Sequence, residues 1–240
     1  MQTETFSYND EQFADLQMLR YRVDGFERLA LRQKELIYYL SEAALSGRDI
    51  LWDQNGKYNL RIRKTLETIY TDYPGDRDSK DFRAFTVYLK RVWFSNGIHH
   101  HYGCDKFQPE FSETFFREAV QQVPAEKLPL EKGQTPQTLC DLLVPILFDP
   151  DVMPKRVNQA DGADLIQTSA CNYYGTDVTQ AEAEAFYSKM KEAGDPHHPV
   201  MYGMNSRLVK TGGRLEEKIW KSGGLYGAAI DRIVYWLEKA

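Results

Sequence analysis

FRAFTVYLKRVWFSNGIHHHYGCDKF, Phe82 to Phe107, joins an aromatic amphipathic segment to a short polar loop. Phe82, Phe85, Leu89, Val92 and Trp93 recur at helical spacing, which predicts a helix from about Ser79. Gly97 is its natural stop, because glycine tolerates the backbone that ends a helix. Three adjacent histidines, Tyr102, Cys104 and Asp105 follow directly behind that stop.

On the N-terminal side, Asp24 and Glu27 have the spacing of a capping box. Phe26, Leu29, Leu36, Ile37, Leu40 and Ala44 then predict one helix that Gly47 ends. Ile62, Leu66 and Ile69 predict a second, from about Tyr58 to Tyr70, stopping before Pro74-Gly75. On the C-terminal side, Ser112 opens a helix carrying Phe116, Val120 and Val123 up to Pro124. Thr135 caps another with Pro136 at its first position, where a missing N–H costs nothing. Leu139, Leu142, Leu143 and Ile146 are its buried side, and Pro145 is expected to kink or end it.

Residues 1–150 thus read as mainly helical, and residues 151–240 as mixed. Asp149-Pro150, Pro154 and Asp161-Gly162 signal turns, and Leu165 to Tyr174 alternates enough for a strand. Thr179 with Glu182 caps a helix running to Gly194, and Asp195-Pro196 with His198-Pro199 makes a rigid turn. Met201–Lys210 and Arg214–Trp220 read as a hairpin about Thr211-Gly212-Gly213. Tyr226, Ala229, Ile230, Ile233, Val234 and Leu237 form a terminal helical stripe with Trp236 off it. So much apolar surface suggests a boundary inside a larger fold; a natural terminal helix docked on the core fits the composition equally. The fold class expected is α+β, predominantly α-helical, with a few antiparallel strands in the C-terminal third.

A net charge of −5 with acidic residues beside the basic ones gives no phosphate-binding face, so no nucleic-acid partner is expected. No run of 18 apolar residues occurs, so no membrane span is expected either. Three widely spaced cysteines, without C-x-x-C, argue against a disulfide framework and fit a cytoplasmic setting, although a removed signal sequence would leave the same trace.

His99, His100 and His101 invite a metal reading, but adjacent side chains diverge. Only His99 and His101 could share a side, with Cys104 or Asp105 as a third ligand, against the roughly 2 Å convergence that zinc needs. Solvated or hydrogen-bonded loop histidines are the plainer reading. No histidine is followed by glutamate, so H-E-x-x-H is absent. Cys104 three residues after His101 is formally a nucleophile pair, but sequence shows no activating environment. Gly212-Gly213 and Gly223-Gly224 lack any phosphate-loop pattern. Asn172-Tyr173-Tyr174-Gly175 and Asn205-Ser206-Arg207 could line a peptide groove or be ordinary strand-end polarity.

Four blocks in order resemble the dipeptidyl peptidase III family of zinc metallopeptidases. They are FRAFTVYLKRVWFSNG with YGCDKFQPEF, then CNYYGTDVTQAEAEAFY, MNSRLVK and GLYGAAIDRIVYWLEKA, which together span most of Phe82 to Ala240. The resemblance implies part of the mixed, non-zinc lobe of a two-lobed enzyme that releases dipeptides from the N-terminus of oligopeptides. It implies that the zinc ligands, the general base and the C-terminal zinc lobe lie beyond Ala240. Zinc then belongs to the full-length parent, and this part alone carries no catalytic residue, no metal ligand and no activity. Tyr102 matches the family's aromatic that lines the substrate cleft; the three histidines depart from the family pattern, so His101 is the alternative at that place. The rival class is a non-catalytic helical module that binds a peptide or protein.

Overall fold

Side-chain caps decide where the central helices begin. Ser79 accepts the Phe82 N–H at 3.2 Å and opens α4, Lys80–Ser95. Ser112 accepts the Phe115 N–H at 3.1 Å and opens α5, Glu113–Gln122. Thr135 and Thr138 bond reciprocally at the head of α6, Pro136–Phe148. Each cap satisfies amides that the first helical turn leaves without partners. Together with α2 (Arg48–Asn55) and α3 (Asn59–Asp72), these helices enclose the main core. Ile62, Leu66, Phe85, Leu89, Phe116, Leu139 and Leu143 are fully buried there. Burying one such side chain contributes about 1.5–3 kcal/mol. The computed structural model describes residues 6–199, 203 and 205–240.

The α4 stripe is Phe82, Phe85, Tyr88, Leu89 and Val92. Trp93, expected on it, stands half out at the rim and donates its indole N–H to Glu67 at 2.9 Å. Pro145 does not end its helix. α6 continues to Phe148, and the Asp149 N–H still reaches the Pro145 carbonyl at 3.2 Å.

The predicted first helix is divided. Gly25 takes a left-handed φ of 89°, and Phe26–Arg28 forms one 3-10 turn. Helix α1 begins only at Leu31 and runs to Ser46, with the Gln33 side chain accepting the Ala30 N–H at 3.0 Å. Asp24 and Glu27 therefore cap nothing in α1. Gly47 ends α1 as expected, but α2 starts at once after it. A hairpin of β1 (Asn9–Phe13) and β2 (Leu16–Leu19), not expected from the sequence, lies before them and turns at Ala14-Asp15. Ala14 makes its turn at φ 49°. Glu11 pairs with Lys90, and Asp15 with Arg91 at 2.7 Å, which fasten the hairpin to α4.

The C-terminal third is mixed. Helix α7 (Gln180–Glu192) opens on the predicted Thr179–Glu182 box. Lys210, at 2.8 Å, and Thr179 hold the Glu182 carboxyl down at about 2. Strands β3 (Ser206–Thr211) and β4 (Arg214–Ile219) pair antiparallel, Ser206 opposite Ile219 and Thr211 opposite Arg214. The expected earlier start at Met201 lies outside the described residues. Leu208 points into a second, smaller core with Val178 and Ala183.

Leu165–Tyr174 is not a strand. Its turns are held by the Asp164 carboxylate, which accepts the Ile166 and Gln167 N–H groups, each at 2.9 Å. Those bonds give the backbone an alternative to a sheet ladder. Only Tyr174 makes a bridge, parallel, to Leu208.

Helix α8 (Gly227–Lys239) packs against α1. Trp236, expected off the contact stripe, stacks on Tyr39 and meets Tyr38 edge-on, both at 6.1 Å. The pair leaves apolar side chains outside, among them Leu31, Ile37, Leu40, Val234 and Leu237. The architecture is mixed α+β with two small antiparallel sheets, one at each end of the described chain.

Candidate functional site

The end of α4 builds the histidine loop. Asn96 caps the helix at φ 52°, and Gly97 follows at φ 153°. A Cβ on Gly97 would overlap the Asn59 side-chain amide, so only glycine lets the chain cross α3 this closely. Asn59 in turn accepts the Ile98 N–H at 3.3 Å. The chain then doubles back. His99 bridges Lys106 antiparallel, and the Phe107 N–H bonds the Ile98 carbonyl at 2.8 Å. Residues 154–156 lie alongside as a third extended segment, through Lys106 N–H to Pro154 and Arg156 N–H to Cys104.

Beneath the loop, two buried polar groups fasten it. The Lys106 ammonium donates to the carbonyls of Ile146 at 3.1 Å and Val152 at 2.6 Å, and to that of Asp149. Three donors meet three carbonyls at the C-terminal end of α6, where a cation also suits the helix dipole. His99, 2% exposed, donates its Nε2–H to the Met153 carbonyl at 2.8 Å. Its Nδ1 is buried without a partner, and burial pushes the imidazole down to about 4. His99 is therefore a neutral structural residue at neutral pH.

The outer side of the loop is an aromatic edge. The His101 ring stands 5.0 Å from Phe94, 4.5 Å from His100 and 4.4 Å from Tyr102. Tyr102 is 85% exposed. Burial, then His100 and Arg156, hold His101 below the usual imidazole value. The Arg156 guanidinium anchors the turn by donating to the His101 carbonyl at 2.9 Å and touching Cys104 Sγ at 3.7 Å. The arrangement suits stacking against a planar or extended ligand.

The three imidazoles do not suit a shared metal. His99 is spent on Met153, and His100 Nδ1 accepts the Tyr102 and Gly103 N–H groups at 3.2 and 3.0 Å. Among the described residues, no three His, Cys, Asp or Glu side chains are grouped to hold one. His101 and Tyr102, singled out from sequence, do lie together. Phe94 was missed as their neighbour, and its signal was its position off the buried stripe of α4.

Asn172 and Tyr173 are placed by a polar hub that no motif announces. Asp53 accepts Asn172 Nδ2–H at 3.1 Å and the Tyr226 hydroxyl, and Asn172 N–H bonds the Gln54 carbonyl at 2.9 Å. Burial, then Asp53, pushes the Tyr226 phenol well up, so it stays a donor. Arg207 lies on β3, with its Nε buried and unpartnered. It is not joined to Asn172 in one groove by any hydrogen bond among the described residues.

Compared with models of known protein families and with curated proteins, the chain matches none. Among the described residues no helix is long and apolar enough to cross a membrane.

Proposed function

We propose that this chain is the opening part of the non-zinc lobe of a dipeptidyl peptidase III-like enzyme, and that it supplies one wall of the cleft that holds an oligopeptide. The observation that carries the reading is the Phe94–His101–Tyr102 edge, raised on a rigid base and open to solvent. In this reading Tyr102 and His101 contact the peptide, and Lys106 and His99 fix the loop that presents them. The uncovered apolar side chains of α1 and α8 suit a lobe that has more chain to pack against them.

Zinc belongs, in this proposal, to a C-terminal lobe of the same parent protein. The residues present here do not fit the ion, and no catalytic step is assigned to them. The chain by itself is inactive and binds no stoichiometric zinc. A cytoplasmic setting, and partners limited to the peptide and the zinc lobe, complete the proposal.

The test is titration of the chain with an unstructured octapeptide, followed by NMR of the His101 and Tyr102 ring signals. Saturable shifts at both rings, lost for the rest of the loop in Tyr102→Ala, support the proposal. Shifts elsewhere with none on these rings overturn it.

A further inference from the structure

Charge holds the β1–β2 hairpin to the rest of the protein. Its strand residues are exposed except Phe13 and Leu16, which are partly buried. A two-stranded hairpin alone is marginal in water, so this one needs an anchor. Two ion pairs supply it, Glu11 with Lys90 and Asp15 with Arg91 at 2.7 Å. The Lys90 ammonium also lies 5.8 Å over the Phe13 ring. Among the described residues, no other hydrogen bond or ion pair joins residues 6–22 to the rest of the chain.

Both carboxylates of the anchor are open to water, with the side chains of Glu11 53% and Asp15 67% exposed. Salt screens such pairs, since the Debye length falls from about 10 Å at 0.1 M to about 3 Å at 1 M. The opposite face of α4 is seated by Phe85, Leu89 and Val92, fully buried apolar side chains on which screening has no purchase. The anchor also reaches the histidine loop. Arg91, held by Asp15, lies 5.5 Å over the Phe107 ring. Phe107 meets His100 edge-on at 6.0 Å, and His100 stacks on His101 at 4.5 Å. One guanidinium thus joins the tip of the hairpin to the base of the loop.

We propose that the β1–β2 hairpin is an ionic strap, closed on α4 at low ionic strength and released at high, which when closed holds Arg91 against Phe107 and so steadies the histidine loop. Release leaves Lys90 and Arg91 as free cations one helical turn from Phe94. It also deprives the hairpin of the support that keeps its two strands paired. The inference rests on the fold alone and stands if the peptidase reading falls.

Amide hydrogen exchange of the whole chain, followed by NMR at low salt and at 1 M sodium chloride, tests it. The probe is the Arg20 N–H, which bonds the Tyr8 carbonyl at 2.8 Å inside the hairpin, read against the amides of α4. Its exchange should speed about tenfold from low to high salt, the worth of two exposed ion pairs. The Phe107 and His100 ring signals should move in step with it. Glu11→Gln combined with Asp15→Asn should exchange fast at both salt levels; both side chains are exposed, so the variant keeps its core. Glu11→Lys should release the strap, and adding Lys90→Glu should close it again. Exchange that ignores salt in the wild type, or that keeps its salt dependence in the double carboxylate variant, overturns the strap. Ring signals that stay fixed while the hairpin opens overturn its hold on the loop.

Discussion

Replacing His99 with glutamine removes an imidazole but keeps an N–H for the Met153 carbonyl, which makes the residue's protonation measurable alone. In the folded chain His99 sits near 4, against 6.5 when unfolded. The unfolded state therefore binds the extra proton first, and stability falls as pH drops through 6.5 toward 4. It is complete above the unfolded value, so nothing is lost between pH 7 and 8. At ~1.4 kcal/mol per pH unit, the loss from this one group should be about 1.4 kcal/mol at pH 5.5 and about 3 kcal/mol at pH 4. Other groups also titrate in this range, so the quantity to measure is the difference between wild type and His99→Gln. Urea unfolding followed by circular dichroism at pH 7.5, 5.5 and 4 gives it. The wild type should lose ground on the variant with that slope. A constant difference across the three pH values would refute the assignment of a neutral, buried imidazole.

Lys106→Met removes three bonds to carbonyls that stay buried, and should cost about 2–4 kcal/mol in the same urea assay. Gly97→Ala should push α3 and the loop apart at Asn59, costing about 2 kcal/mol or more and broadening the His100 and His101 NMR signals. Tyr226→Phe leaves Asp53 one donor short and should cost about 1–3 kcal/mol. Tyr102→Ala should change stability by less than about 0.5 kcal/mol, because the side chain is exposed, while abolishing oligopeptide shifts.

The helices with local caps were readable from sequence because Ser79, Ser112, Thr135 and Thr179 all accept the amides their positions promise. Asp24 and Glu27 have the same spacing, yet Gly25 turns left-handed there and the chain makes a single 3-10 turn. Pro145 does not end α6, because only its own N–H is missing and the Asp149 N–H is still satisfied by its carbonyl. Alternation from Leu165 to Tyr174 suggested a strand, but Gln167 Nε2 bonds the carbonyls of Thr176 and Val178 and folds the segment on itself.

The candidate site divides in the same way. His101 and Tyr102 were visible as adjacent rings behind a helix stop. That His99 points inward while His101 points outward was not, because it depends on Met153 arriving from 54 residues away. Asp53 meets Asn172 and Tyr226 across 119 and 173 residues, and no local pattern records such a meeting.

The central proposal is that this chain forms a cleft wall whose metal chemistry resides in another part of the same protein. Sequencing the natural transcript past the Ala240 codon tests it most directly. The proposal predicts an open frame that continues into the zinc ligands and general base of the other lobe; a stop codon immediately after Ala240 would contradict it.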